Sequence, residues 1–585
     1  MTQIAGGLAA EMDKKTAPPP FERLPTTTPD RSAAHHVLSD IMIPMRDGVR
    51  LALDAYLPEG DGPFPTVLTR MPYGKTEPYC YMPIIGAFFA SKGYAYIAQD
   101  VRGKWGSQGR FDPNVGGTEI ADGYDTIDWI AGQDWSNGRV GMWGESYFGF
   151  TSYAGAVSGH EALVAIAPGD ITLNRYRGTF RNGCLQLNTV GTWAISMMAR
   201  RYQDLSSIDP WHLPLAQMAN AAGIPSSYFD QVIANPVPSP FWEERSLLAG
   251  YDAIRIPVLH WDGWYDNYLG PMLRDWRLLA DANAPRRHNH LLIGPWDHEC
   301  SADKLGRAGL MPVPASAFAH RWDHYAAFFD RYLMGLDNGF GARGPIHYFT
   351  LGADRWRDAE DWPLPGTDFQ SWYLHGKGRA ITADGEGTLS REPPGEESHD
   401  SFVYDPTNPI AATLQMDCWA IAGAMGDRPE IEQRHDVLVY TSEPLKEPLE
   451  LTGPITAELH AASSATDTDF TVVLADVFPD GRVNMIQDGI LRTGFRDPDR
   501  APQPIEPGRI YAFGIDLWAT SYLVGEGHRL RVEISSSDFN RYDRNPNTGA
   551  PFGHSPDTIK AEQTVFHDAI HPSHIVLPVI RSTSN

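Results

Sequence analysis

The pattern of hydrophobic and polar positions divides this 585-residue chain into segments of different character. Short apolar runs typical of buried parallel strands, such as 66–69, alternate with helical patterns up to residue 168, and such runs resume at 256–260. Strands that alternate with helices predict a doubly wound parallel sheet. We therefore expect an α/β domain formed by residues 36–168 and 250–340.

Three further segments have their own patterns. Residues 169–249 are rich in aromatic and long aliphatic side chains and poor in strand patterns, which predicts a helical cap inserted into the α/β domain. From 345 to 585 short β-rich runs are separated by Pro, Gly and Asp, as in the alternating run 529–534, and this spacing is typical of an all-β sandwich or jelly roll. Residues 1–35, rich in Pro, Thr and Ala and without periodicity, predict a flexible N-terminal leader.

The composition excludes several classes of function. The formal net charge of -25 is spread along the chain, which argues against a nucleic-acid partner. Four cysteines stand far apart without a CxxC pair, so neither a zinc site nor a disulfide framework is indicated. No apolar run is long enough to indicate an export signal or a membrane anchor, so we expect no membrane partner. We also expect a cytoplasmic protein that binds no metal and no cofactor. Whether the protein forms a homo-oligomer is left open.

A serine lies in a tight turn between a predicted strand and a predicted helix. The hexapeptide Gly-Glu-Ser-Tyr-Phe-Gly at 144–149 follows the apolar run 140–143 and precedes the helix-like stretch 150–156. This arrangement is the nucleophile elbow of an α/β-hydrolase, in which glycines are needed because the helix passes close to the strand. The pattern predicts Ser146 as the nucleophile of a serine hydrolase.

The partners that such a serine needs occur further along the chain. A histidine must take the serine proton and a carboxylate must orient that histidine, and in this fold they follow in the order Ser, acid, His. The loop after 256–260 carries Asp262 and Asp266, and the loop after the next strand carries His298. Asp266 is favoured over Asp262 because it lies further beyond the strand end. The predicted triad is Ser146, Asp266 and His298.

Three segments around these residues resemble a known family. They are Gly144-x-Ser146-Tyr147-x-Gly149, Gly263-Trp264-Tyr265-Asp266 and Gly294-Pro295-Trp296-x-His298. They look like the cocaine esterase / Xaa-Pro dipeptidyl-peptidase family, which also contains α-amino acid ester hydrolases and glutaryl-cephalosporin acylases. The resemblance covers nearly everything from about residue 36 to the C-terminus. It implies an α/β-hydrolase core, a helical cap inserted after the elbow and a C-terminal jelly roll, and it places the triad at the same three residues.

The resemblance also implies further site residues. The family builds its oxyanion hole from a backbone N–H just after the nucleophile and a tyrosine hydroxyl, and the matching positions here are Tyr147 and Tyr73. Tyr268, just beyond the predicted triad acid, is expected to face the acyl pocket. Aromatic residues of the cap are candidates either for lining that pocket or for the cap core: Tyr176, Phe180 and Trp193.

The substrate class is less sharply defined. The α-amino acid ester hydrolases of the family bind the substrate ammonium with carboxylates, one of them early in the cap, whereas the matching stretch 174–181 here contains arginines. We therefore expect a neutral or acidic acyl group, with Arg177 or Arg181 either a carboxylate clamp or an ordinary surface charge.

The predicted function is hydrolysis of small carboxylic esters, and of some amides, through an acyl-enzyme. Two alternatives in the same class are an Xaa-Pro dipeptidyl-peptidase and a cephalosporin or glutaryl acylase-type amidase. An alternative of another class is a carbohydrate-binding protein whose hydrolase domain is inactive. The complete set of Ser, Asp, His and Tyr argues against the inactive form.

Overall fold

The computed structural model describes residues 35–282, 288–300, 306–412, 428–498 and 500–581. All but the last residue of the predicted leader, and Cys418, lie outside the described residues. None of the helices within these ranges is long and apolar enough to span a bilayer. The three cysteines in the described part of the chain are buried and are not joined in disulfides.

A ten-stranded mixed sheet forms the centre of the first domain. Its seven central strands are mutually parallel, and antiparallel strands flank them, two at one edge and one at the other. In order across the sheet the strands are His35–Pro44, Arg50–Pro58, Ala95–Asp100, Phe64–Met71, Ser136–Glu145, Leu163–Gly169, Val258–Gly263, Asn289–Gly294, Ile346–Thr350 and Arg355–Ala359.

The helices of this domain explain why its central strands are apolar throughout. All eight residues of the strand Phe64–Met71 are buried, as expected where a parallel sheet is covered on both faces. The α-helices of the domain are Met82–Ser91, Gly116–Ala131, Ser146–Val157, Leu269–Ala282 and Ser316–Tyr332. Shorter elements are the 3-10 turns Pro78–Cys80 and Leu248–Ala253 and the small hairpin of Arg307–Ala308 with Met311–Pro312.

The cap follows the strand that neighbours the elbow strand and consists mainly of short helical segments. Its α-helices are Arg175–Thr179, Thr192–Ser196, Met218–Ala221, Ser227–Ala234 and Pro240–Glu244. A π-helical turn at Leu187–Gly191, a 3-10 turn at Leu215–Gln217 and a two-residue hairpin of Phe180–Arg181 with Cys184–Leu185 complete it.

The C-terminal domain is all-β apart from two short helical turns, Pro429–Glu432 and Thr493–Phe495. Its sheet has eleven strands. Ten of them run in the order Asp400–Tyr404, Ala561–Phe566, Leu449–Ser463, His574–Ile580, Asp368–His375, Thr388–Ser390, Leu438–Ser442, Arg529–Ser535, Asp469–Val477 and Val483–Arg492, and Tyr511–Val524 pairs with Leu449–Ser463. The sequence prediction of an α/β-hydrolase core with an inserted helical cap and a C-terminal jelly roll is confirmed.

Two details differ from the expected pattern. The strands Ile346–Thr350 and Arg355–Ala359 complete the first sheet, although both follow residue 345. In the strand Arg529–Ser535 the alternating polar residues are buried with the apolar ones. Arg531 pairs with Glu432 at 2.6 Å and Glu533 with Arg428 at 2.9 Å, so the polar face of this strand is covered by protein.

The β domain contacts both the cap and the loop after the strand Val258–Gly263. The side-chain amide of Gln487 donates hydrogen bonds of 2.8 Å to the carbonyl oxygens of Trp264 and Ala519. Trp264 is fully buried and its indole N–H donates to the carbonyl oxygen of Phe349. The loop that carries Asp266 is thereby tied to residues far along the chain.

Candidate active site

Ser146 lies at a strained turn between the strand Ser136–Glu145 and the helix Ser146–Val157. Its φ of +52° is in the left-handed region, which costs free energy for a residue other than glycine. A Cβ on Gly144 would lie 2.5 Å from the carbonyl carbon of Phe148, and one on Gly149 would lie 2.8 Å from a backbone oxygen of the next strand. Small residues are therefore required on both sides of the serine.

The turn brings Ser146 to the two residues that the sequence pairs with it. The Nε2 of His298 lies 3.2 Å from the Oγ of Ser146, and the Nδ1 of His298 lies 2.7 Å from the Oδ2 of Asp266. The other oxygen of Asp266 accepts a hydrogen bond from the backbone N–H of Tyr268. Asp266 is fully buried, so its carboxylate is held by the imidazole and by its own loop.

Asp262, the alternative acid, lies close by but has different partners. Asp170, Asp262 and Asp266 are all buried, and each offers a carboxylate oxygen within 4.8 Å of the others. Burial, followed by the charge of Asp266, raises the pKa of both Asp170 and Asp262, and Asp170 hydrogen-bonds to Asp262. Burial thus disfavours the charged form of both carboxyls beside Asp266. A divalent cation would need their charge, and both oxygens of Asp266 already accept hydrogen bonds.

The environment of the imidazole shifts its proton affinity. Burial lowers the pKa of His298, but the charge and hydrogen bond of Asp266, together with the charges of Glu299 and Glu145, outweigh burial and raise it to about 9. The pKa of the neighbouring Glu299 is itself raised to about 7 by burial. Because only the neutral imidazole can accept a proton, this shift favours activity at alkaline pH.

Tyr73 and Tyr147 flank the elbow in different ways. The indole N–H of Trp193 donates to the hydroxyl oxygen of Tyr73 at 3.0 Å, and since an indole N–H can only donate, the hydroxyl is the acceptor in this contact. The ring of Tyr73 packs edge-on against Phe148 in the first turn of the elbow helix. The hydroxyl of Tyr147 donates to Glu119, so its ring is anchored in the core and its backbone N–H is the group left at the helix start.

The predicted pocket residues have different surroundings. The ring of Tyr268 lies 5.5 Å from the imidazole of His298, centroid to centroid, and Trp193 contacts Tyr73 as described. Tyr176 and Phe180 stack on each other, and both contact Trp242. Among the described residues no ring contact links either of them to Ser146, Asp266 or His298, and their part in lining an acyl pocket stays a prediction.

The arginines of the stretch 174–181 also have different surroundings. Arg181 is buried between the cap and the β domain, where it bonds Asp488 and lies 3.7 Å over the ring of Trp518. Arg177 is exposed. Both terminal guanidinium nitrogens of Arg181 donate within this domain contact, which argues against Arg181 as a substrate clamp.

Arg175 is the arginine of this stretch that contacts Tyr268, and sequence reasoning missed it. Its guanidinium nitrogens lie 3.4 and 3.5 Å from the hydroxyl oxygen of Tyr268. Helical spacing was the available signal, since Arg175, Gly178 and Thr179 share the buried face of one short helix.

Comparison with known proteins agrees with this geometry. Residues 47–299 match the family described as X-Pro dipeptidyl-peptidase (S15 family), and residues 338–576 match the X-Pro dipeptidyl-peptidase C-terminal non-catalytic domain. The chain is 38% identical to the cocaine esterase of Rhodococcus sp. (strain MB1 Bresler) over 94% of its own length and 99% of that protein.

Two solved structures are similar over almost the whole chain. One is an aminopeptidase from a marine sediment Thaumarchaeota archaeon, with a TM-score of 0.83 and 27% identity, covering 97% of this chain and 100% of that one. The other is an α-amino acid ester hydrolase, with a TM-score of 0.81 and 26% identity, covering 97% and 99%. This chain therefore belongs to the cocaine esterase / X-Pro dipeptidyl-peptidase family and is a serine hydrolase of esters or peptides.

Proposed function

We propose that this protein is a carboxylic ester hydrolase that works through an acyl-enzyme formed on Ser146. The observation that carries the proposal is the chain of two hydrogen bonds from Ser146 through His298 to Asp266, at 3.2 and 2.7 Å. A serine hydroxyl attacks a carbonyl carbon efficiently only when a base removes its proton during the attack, and this arrangement supplies that base in an oriented tautomer.

The steps follow from the positions of the protons. His298 Nε2 takes the proton of Ser146 Oγ as the oxygen attacks the ester carbonyl, and Asp266 stabilises the imidazolium that forms. The imidazolium then gives its proton to the leaving alcohol, whose bond to the carbonyl carbon breaks. Water enters, loses a proton to His298 and attacks the acyl-enzyme, and the proton returned to Ser146 Oγ completes the cycle.

The negative charge that develops on the carbonyl oxygen needs donors beside the nucleophile. The hydroxyl of Tyr73 and the backbone N–H of Tyr147 fill this role, the first from the loop after the strand Phe64–Met71 and the second from the start of the elbow helix. Removing one such donor typically costs about 3 kcal/mol of transition-state stabilisation. The Trp193 indole orients Tyr73 by donating to its oxygen.

An ester preference over a dipeptidyl-peptidase activity is supported by the charge of the cap. A peptide N-terminus is an ammonium that needs a carboxylate, whereas the cap begins with Arg175, whose guanidinium faces Tyr268 beside the triad. A cation at this position repels an ammonium and tolerates a neutral or acidic acyl group.

The test combines labelling with a substrate panel. We expect a fluorophosphonate probe to label wild-type protein and not Ser146→Ala, and we expect p-nitrophenyl butyrate to be cleaved in preference to an aminoacyl ester and to an Xaa-Pro p-nitroanilide. Absence of labelling, or labelling that persists in Ser146→Ala, would remove the acyl-enzyme. Faster cleavage of the Xaa-Pro amide would replace the esterase proposal by the peptidase.

A further inference from the structure

Arg175 is a buried cation without an anionic partner. It opens the helix Arg175–Thr179 at the start of the cap and is 2% exposed. Its guanidinium nitrogens contact the hydroxyl oxygen of Tyr268 at 3.4 and 3.5 Å, and the charge lies 5.5 Å from the centre of that ring. Within the described ranges no carboxylate is in ion-pair contact with Arg175, and its Nε makes no hydrogen bond.

Other buried arginines in the described chain show what is missing at this one. A guanidinium stays charged, and burying it costs several kcal/mol unless an anion and hydrogen bonds compensate. Paired examples are Arg70 with Glu119, Arg181 with Asp488, Arg245 with Asp112, Arg428 with Glu533, Arg492 with Asp469, Arg531 with Glu432 and Arg541 with Asp488. Each of these arginines has a carboxylate partner, whereas Arg175 has none among the described residues.

A second donor with no partner lies nearby. Tyr228 is 3% exposed and its hydroxyl oxygen is buried without a hydrogen bond, while the charge of Arg175 acts on it. Its ring contacts Trp193, the residue that donates to Tyr73. Arg175 and Tyr228 are thus two interacting buried side chains, and each has a donor atom that makes no hydrogen bond.

Arg175 lies close to the proposed triad. Tyr268 bridges the two regions, since its ring lies 5.5 Å from the imidazole of His298 and its hydroxyl meets Arg175. Gly178 permits this approach, because a Cβ there would lie 2.6 Å from the Tyr268 ring. A group bound at Arg175 is therefore one tyrosine side chain away from the catalytic histidine.

We propose that Arg175, assisted by the hydroxyls of Tyr228 and Tyr268, binds a carboxylate at the far end of the acyl group, so that the preferred substrates are monoesters of short dicarboxylic acids. This inference rests on the proposed function and specifies its substrate class. A planar guanidinium and a carboxylate form two parallel hydrogen bonds, and the two hydroxyls can donate to the remaining lone pairs. The bound carboxylate supplies the negative charge that the described residues do not provide for Arg175.

The first experiment compares matched substrates on the wild-type protein. The pair is mono-p-nitrophenyl glutarate and its methyl ester, which differ only in the terminal charge, with the succinate and adipate pairs to vary the chain length. We expect kcat/KM for at least one acid to exceed that of its methyl ester by about 20-fold or more. Equal values for all three pairs, or a preference for an aminoacyl ester, would overturn the proposal.

The second experiment removes the charge. We expect Arg175→Met to lower kcat/KM for the preferred acid about 100-fold while changing that for its methyl ester by less than about threefold, and Arg175→Lys to restore part of the difference. Arg177→Met, in the same helix but exposed, is the matched control and should change neither. Equal losses on both substrates in Arg175→Met would show a structural role only.

A binding measurement does not depend on turnover. Glutarate should bind to Ser146→Ala more tightly than its neutral monoamide methyl ester in calorimetry, and the absence of any difference would count against the site even if Arg175→Met fails to fold. Failure of the proposed function looks different, because then neither the acid nor the methyl ester is cleaved and the fluorophosphonate does not label. Hydrolysis of the methyl esters without preference for the acids removes only the carboxylate site.

Discussion

The side-chain amide of Gln487 donates a 2.8 Å hydrogen bond to the carbonyl oxygen of Trp264, two residues before Asp266. Gln487 lies in the strand Val483–Arg492 of the β domain and is buried, so the C-terminal domain holds the loop that carries Asp266, the proposed triad acid. A misplacement of about 1 Å in a catalytic group can cost about two orders of magnitude in rate. Through this contact the β domain contributes to the geometry of the site from two residues away from Asp266.

Gln487→Leu is expected to lower both stability and kcat. It leaves two buried carbonyl oxygens without their donor, which costs about 1 to 3 kcal/mol in the free energy of unfolding, and we expect a fall in kcat of about tenfold from the loosened loop. Urea unfolding and ester hydrolysis measure the two effects. Gln370→Leu, whose side chain bonds only Asp368, is the control, and an unchanged kcat in Gln487→Leu would contradict the role of the β domain.

Substitution distinguishes the two candidate acids, Asp266 and Asp262. Asp266→Asn should lower kcat by about four orders of magnitude, since an amide cannot stabilise the imidazolium or hold the same tautomer. Asp262→Asn should lower it by less than tenfold, because burial raises the pKa of Asp262 and disfavours a charge there, and because Asp266, not Asp262, bonds the imidazole. Steady-state ester hydrolysis decides the matter, and a larger loss in Asp262→Asn would exchange the two assignments.

The pH profile follows from the imidazole. His298 has a pKa raised to about 9, so it is protonated below that pH and cannot accept the serine proton; kcat/KM should rise with pH through about 9. Asp266→Asn removes the charge and hydrogen bond that raise this pKa, so the remaining activity should rise at lower pH. Profiles of kcat/KM for a neutral ester check both, and a wild-type profile that levels off near pH 6.5, the ordinary range of histidine, would refute the shift.

Tyr73→Phe tests the oxyanion donor. Loss of one donor to the developing oxyanion should lower kcat by about 100-fold to 1,000-fold with little change in thermal stability. Tyr202→Phe is a matched control, since the hydroxyl of Tyr202 donates to the backbone oxygen of Tyr73 and not towards the serine. An activity of Tyr73→Phe equal to that of the control would retire the assignment.

Arg181→Met tests the contact between cap and β domain. Removing this buried guanidinium leaves the oxygens of Asp488 and the carbonyl of Asp516 with fewer donors, and we expect a loss of about 3 kcal/mol in the free energy of unfolding. Arg274→Met, which breaks an exposed pair with Asp516, should cost less than about 1 kcal/mol. Denaturant unfolding measures both, and equal small effects would mean that the interdomain contact contributes little.

Local pattern was sufficient for much of the fold and for the elbow. Apolar runs fixed the places of the central strands, and small residues around Ser146 predicted the strained turn because only they allow the helix to pass the strand. Boundaries were less exact: the run 256–260 predicted a strand that the structure has at Val258–Gly263. Pro257 has no N–H for the strand ladder, which accounts for the later start.

The burial of charged residues could not be predicted from the local sequence pattern. The alternation of Arg531 and Glu533 with apolar residues is typical of a strand with one solvent-facing side, yet both are buried in ion pairs. Their partners Glu432 and Arg428 are about a hundred residues away in the chain. No local period encodes such a distant covering segment.

The sequence by itself determined the fold class, the elbow serine and the chain order of its partners, because these depend on short-range periodicity and on the conformational demands of single turns. Only the tertiary structure decided the surroundings of the three arginines in 174–181: one lies in a domain contact, one is exposed and one contacts Tyr268. Arg181 meets Asp488 across 307 positions and Arg175 meets Tyr268 across 93. Such pairings are set by how whole domains pack, and the local spacing of charges carries no information about them.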